Sequence, residues 1–219
     1  MLVGHVAVGL AGKRFVPGIS LGTLVLAAVA ADLLWCLFLM VGLERVEIRA
    51  AGPTLMKSVV ISEVPFSHSL LMDGLWASVF ALAYFRVRRS ARGAGVVAGA
   101  VLSHWVLDFA SHHRDMPLAP GLDRVYGLGL WNSLPATVAV EGGFWLVAVV
   151  LYSRATRAKT PTGRYGFWIG VVVLTSAWWG NVAGPPPRDL VAARITSLIF
   201  FALVVAWASW MNRLRPVPA

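Results

Sequence analysis

Seven ionisable side chains fall within or at the edge of stretches that are otherwise apolar: His5, Asp32, His68, Asp73, His104, Asp108 and Glu141. On insertion scales a charge near the centre of a spanning helix costs about 2.5 to 3.5 kcal/mol, so each such residue is a functional candidate. His104 and Asp108 stand four residues apart, on one face of a helix and close enough to share an ion. His112 continues that stripe by a further turn, and His113 follows it. Neutral imidazole together with carboxylate oxygen suits zinc or a related divalent metal. Structural alternatives stand beside this reading. His104 and Asp108 could form an interhelical hydrogen bond, and Glu141, next to Gly142-Gly143, could mark a helix crossing. His5 could be interfacial, Asp73 lies off the face of His68 and reads as structural, and His112 and His113 could be loop residues.

The elements that must position these groups are membrane helices. Hydrophobic residues make up 58% of the chain and charged ones 13%, with a mean hydropathy of +0.73, whereas soluble domains sit nearer half apolar and a quarter charged. A spanning helix needs about 20 apolar residues, and six stretches qualify: 19–43, 68–85, 95–112, 136–152, 167–182 and 195–211. Residues 2–10 are apolar but too short to span, and Lys13-Arg14 follow them, the reverse of a signal peptide. The fold class is therefore an all-α polytopic helical bundle of about six transmembrane helices with a short N-terminal half-helix. It forms a single transmembrane domain over 1–219, with a polar core at 4–141 and two further helices at 166–212. The lone cysteine, Cys36, excludes an internal disulfide and any Cys-based metal motif.

Charge gives the topology. Lys13, Arg14, the 86–92 arginines, Arg154, Arg157, Lys159, Arg164, Arg213 and Arg215 occupy segments without acids. The alternate loops mix signs: Glu44, Arg45, Glu47, Arg49, Lys57 and Glu63; then Arg114, Asp115, Asp123 and Arg124; then Arg188, Asp189 and Arg194. Lysine and arginine collect on the cytoplasmic side, which predicts cytoplasmic termini in a bacterial inner membrane. The net charge of +9 is then a topology signal with anionic lipid contact, and nucleic acid is not an expected partner. Trp178-Trp179, Trp207 and Trp210 read as interfacial, and Trp35, Trp76 and Trp105 as packing residues. On this topology Asp32, His68, His104, Asp108 and Glu141 reach one layer in the outer half, and His5 must rise on a half-helix to approach it.

The ordered set resembles a known family. Gly4-His5, Asp32, Ser67-His68-Ser69-Leu70-Leu71 and Leu102-Ser103-His104 with Asp108 resemble the motifs of the bacterial membrane-bound metal-dependent hydrolases. The ligand order is also similar to that of zinc-dependent phospholipase C. The resemblance covers roughly residues 4 to 141. Ala31 stands where the family has proline, Val64-Pro65-Phe66 replaces His-Arg-Gly, and Thr137 stands where the phospholipase has a histidine. It implies His5, Asp32, His68, His104, Asp108 and Glu141 as metal ligands for one or two zinc ions, with Asp108 bridging and with Asp32 and Glu141 also catalytic. A bound divalent ion brings the pKa of its water towards about 7. The function so implied is hydrolysis of a phosphoester on a lipid or lipid-linked substrate. A transporter or proton conduit, or a non-enzymatic factor with a structural metal, are the alternatives. The Pro- and Gly-containing 112–135 loop reads as a cover over the site.

Overall fold

The computed structural model describes residues 1–48, 59–187 and 189–218, so Arg49, Lys57 and Arg188 of the mixed-charge loops lie outside the described residues. The chain is an all-α membrane bundle. Five helices are long and apolar enough to cross a bilayer: α4 (Leu70–Arg88), α5 (Ala91–Ser111), α6 (Leu134–Ala155), α7 (Pro161–Ala183) and α8 (Leu190–Leu214). A bent helix pair brings the number of spans to six if it is counted as one. The apolar run at 19–43 splits into α2 (Leu21–Ala28) and α3 (Ala30–Met40), bent by 54° at Val29. Large apolar side chains point outwards, as lipid-facing positions should: Leu71 is 63% exposed, Ile169 63% and Leu203 63%.

At the centre lies α1 (Leu2–Phe15), the short N-terminal segment. It is buried on nearly every side, with Val3, Val6, Ala7 and Leu10 fully inaccessible, and it packs on α2, α5 and α6. Close approach to α2 depends on Gly9: a Cβ there would stand 2.6 Å from Val25 Cγ2 and 3.0 Å from the Val25 backbone. Small residues at such crossings let backbones approach in a membrane interior, where lipid supplies no hydrophobic drive. Lys13 is not simply a topology charge. It is buried, and its ammonium donates to the carbonyls of Pro17 and Ile19, both at 2.8 Å, tying the turn into α2.

The basic segments gather at one end. Residues 15–19 border a groove with Arg88 and Arg92, and the backbone of Arg157 and Lys159 bonds to that of Pro216 and Leu214. The opposite end carries two small antiparallel ribbons. One pairs β1 (Arg45–Ile48) with β2 (Val59–Glu63), the other β3 (Met116–Pro117) with β4 (Val125–Tyr126). Helix α4 is capped by Ser69, whose side chain accepts from the Met72 amide, so His68 lies just before the helix rather than inside it. Trp178 departs from its interfacial assignment: it is 5% exposed in the core against α6, because its ring covers Gly142.

Candidate metal centre

Four segments of the chain deliver the site. α1 brings His5, the start of α3 brings Asp32, the turn before α4 brings His68, and α5 brings His104 and Asp108. Two overlapping triads result, His5/Asp32/His104 and His68/His104/Asp108, with one donor atom from each residue inside 4.8 Å of the others. All five residues are buried except Asp32, whose side chain is 14% exposed. The half-helix explains how His5 arrives. Ten residues separate it from Phe15 at the basic end, about 15 Å at 1.5 Å per residue, which places it at the level of the break between α2 and α3.

That break serves the site. A helix end leaves carbonyls without amide partners, and the Ala28 carbonyl accepts from His104 Nδ1 at 2.8 Å. A carbonyl only accepts, so Nδ1 carries a hydrogen, and when the ring is neutral Nε2 presents its lone pair. Nε2 lies 3.2 Å from Asp108 Oδ2 and 3.9 Å from Asp32 Oδ1. A ring nitrogen facing two carboxylates is satisfied either by a proton or by a metal ion.

His68 is set by a longer chain. Glu44, buried beyond the end of α3, accepts from the amides of Phe66 at 2.9 Å and Ser67 at 2.7 Å through one oxygen. Its other oxygen accepts from the Ser67 hydroxyl at 2.6 Å. Having given its only hydrogen to Glu44, Ser67 Oγ must accept from His68 Nδ1 at 2.7 Å. His68 Nε2 is therefore also bare, 3.7 Å from Asp108 Oδ2 and 4.0 Å from Asp32 Oδ1. Burial pushes the Glu44 carboxyl above the ordinary carboxylate range, and the Ser67 and Phe66 donors oppose that rise.

His112 repeats the pattern. Its Nδ1 faces Asp115 Oδ1 at 3.3 Å, and its Nε2 lies 3.8 Å from Asp108 Oδ2. Three histidines thus have Nδ1 engaged by an acceptor and direct Nε2 at one carboxylate oxygen. The other oxygen of Asp108 takes His5 Nε2 at 3.0 Å and the α-amino group of Met1 at 2.6 Å. The His5 and His104 rings stack with centroids 3.7 Å apart and planes 8° off parallel, so each fixes the other's orientation.

Glu141 is fully buried, but it lies outside both triads. It occupies a π-helical turn at Val138–Gly142 within α6, a distortion often found at functional sites. The turn aims its carboxylate towards the Gly4 backbone, the Trp178 indole and the Met1 amine. Asp73 is buried beside the Trp105 backbone and is not in either triad. His113 is likewise outside the cluster among the described residues.

The cluster forms one wall of a cavity of about 450 Å³, whose lining includes Asp32, His68, Asp108 and His112. The 112–135 segment does fold over it: the Gly129 amide bonds to the His112 carbonyl, and Trp131 lies 4.1 Å from the His112 ring and lines the cavity. Gly127 permits this return, since a Cβ there would stand 1.9 Å from the His113 carbonyl oxygen.

Sequence reasoning missed Glu44 and left His112 open. Glu44 sits in a mixed-charge loop, where an acid reads as solvent-facing. His112 had a signal, the i, i+4 step from Asp108. Compared with family models, curated proteins and solved structures, the chain matches none.

Proposed function

We propose that the chain is a membrane-embedded metal-dependent hydrolase that cleaves a phosphoester of a lipid or lipid-linked substrate. The observation that carries this reading is the pair of overlapping His/Asp triads facing a cavity of about 450 Å³. A structural metal site is closed by its ligands, whereas a catalytic one keeps a position for water or substrate. Here Asp32, His68 and Asp108 border open space, which favours the catalytic case. The motif order from Gly4-His5 to Asp108, which resembles the membrane-bound metal-dependent hydrolases, supports the same class. A conduit reading has less support, because the buried acids and histidines gather in one layer rather than along the bundle.

The roles follow from chemistry. Asp108, central among the four nearest imidazoles, together with Asp32, His5, His68 and His104, would hold one or two divalent ions such as zinc. When bound, a divalent ion acidifies water and stabilises charge on the phosphoryl oxygens. The chain's own residues aim the ligands: Ala28 holds His104 Nδ1, the Glu44–Ser67 pair holds His68 Nδ1, and Trp131 lines the cavity beside His112. Glu141 lies apart from the triads, beside the Met1 amine, and is assigned as ligand or general base, which its metal content on substitution distinguishes. The basic end faces the cytoplasm of a bacterial inner membrane.

Elemental analysis of detergent-purified protein tests this directly. Wild type carries one or two zinc or manganese ions, and His104→Ala and Asp108→Ala lose them while still inserting. Equal metal in wild type and both variants, or none in any after reconstitution, overturns the assignment.

A further inference from the structure

The far wall of the cavity is built by α8, which the metal cluster does not use. Its first turn is capped by Asp189, whose carboxylate accepts from the Val191 and Ala192 amides. One turn on, Arg194 enters the cavity lining. A single guanidinium donor, Nη1, bonds to the Leu39 carbonyl at 3.3 Å in the last turn of α3. Nε is shut away from solvent and has no hydrogen-bond partner among the described residues. A guanidinium carries five donors in a planar fork suited to phosphate and carboxylate. Leaving a buried donor unmade is costly. Within this cavity, Arg194 is the one cationic side chain among the described residues, and Asn181 and Ser197 add neutral donors on the same side.

The remaining wall is apolar, with Trp35, Leu39, Phe200 and Phe201 between the two polar ends. Asp32 and Leu39 are seven residues apart on α3, about 10 Å along the helix. A ligand spanning the cavity therefore meets the His/Asp cluster at one end and the guanidinium at the other. Resting on the hydrolase reading above, we propose that Arg194 is an anion-binding subsite. The substrate is then an amphiphile with an anionic group held about 10 Å from the bond being cleaved. The anion completes the guanidinium fork, and the apolar middle of the cavity takes the hydrocarbon.

Capping α3 is the competing role for Arg194, so the informative variant is Arg194→Gln, which keeps an amide donor for the Leu39 carbonyl and removes the charge and fork. The probes are dioctanoyl phosphatidic acid and dioctanoylglycerol, titrated calorimetrically into EDTA-treated full-length protein in maltoside micelles. Without metal, the Met1 amine, paired with Asp108 at 2.6 Å, and the cluster imidazoles stay the same in wild type and variants, so the difference between them reads the arginine. A charge-assisted bond of this kind corresponds to a preference of about tenfold or more for the phosphatidate in wild type. Arg194→Gln loses that preference, and Arg194→Lys retains part of it. No preference in wild type, or an undiminished one in folded Arg194→Gln, overturns the proposal. Competition by inorganic phosphate at similar concentration assigns the subsite to the free anion. Competition by the amphiphile alone assigns it to a lipid headgroup, and both uphold an anion subsite. Metal content measured in parallel separates the two ideas: a protein that never binds metal yet keeps the Arg194-dependent preference refutes the hydrolase reading alone.

Discussion

Exchanging Glu44 for glutamine changes one atom in a group that touches none of the proposed ligands, and it should still cost metal affinity. In the wild-type chain one Glu44 oxygen takes two backbone amides and the other takes the Ser67 hydroxyl. A glutamine keeps its carbonyl on the two amides, which puts its NH2 against Ser67 Oγ. Ser67 must then accept from that introduced NH2 and swing its own hydrogen to His68 Nδ1, 2.7 Å away. That forces the His68 proton onto Nε2, the atom directed at Asp108 and Asp32. Restoring the binding tautomer breaks one buried hydrogen bond, about 1 to 3 kcal/mol. Outer-shell partners of metal ligands are generally worth 10- to 100-fold in affinity, about 1.4 to 2.8 kcal/mol, and the two figures agree. Zinc affinity measured by competition with a chromophoric chelator should fall 10- to 100-fold in Glu44→Gln, with helicity by circular dichroism unchanged. An affinity within twofold of wild type would refute the tautomer argument.

Further outcomes follow from the same geometry. Because burial raises the Glu44 carboxyl and its charged form is the useful one, its benefit is lost as pH falls through the raised value. The wild-type to Glu44→Gln affinity ratio should therefore shrink towards one on acidification, starting above the ordinary glutamate range near about 4.3, and a ratio constant with pH contradicts this. Glu141→Gln should keep its metal by elemental analysis and lose about 10²- to 10⁴-fold in turnover, as a general base would; loss of the metal instead makes Glu141 a ligand. Gly9→Ala, whose Cβ meets Val25 Cγ2 at 2.6 Å, should cost about 1 to 3 kcal/mol in detergent unfolding. No change there would mean that α1 is not packed against α2 as described.

Much of this was readable because ions and hydrocarbon are incompatible. His5, Asp32, His68, His104 and Asp108 stood out in apolar surroundings, and the structure brings all five together. The same filter hid Glu44 and Arg194, which lie in segments with ordinary charges and gain importance only from what folds against them. The break at Val29 was also illegible. The run Leu26-Ala27-Ala28-Val29-Ala30-Ala31 has no proline or glycine to announce it, and the bend is visible only once His104 is seen bonded to the freed Ala28 carbonyl. The π-helical turn at Glu141 likewise leaves no periodic trace, since it shifts register within a continuous apolar helix. Trp178 was misplaced for a related reason: proximity to a span's end does not tell which way a ring faces.

The central half-helix has a consequence for how the protein is made. At fourteen residues α1 extends about 21 Å, short of a hydrocarbon core of about 30 Å. It has no stable place in lipid by itself, and becomes a membrane segment only when α2, α5 and α6 enclose it. Though first in the chain, it reaches its buried place only with those three helices present, and His5 comes with it. An incompletely assembled bundle holds His68, His104 and Asp108 but only part of the ion's environment. If the proposed metal binds there, its retention would report assembly, and a packing error as distant as Gly9 would register at the centre as a missing ion.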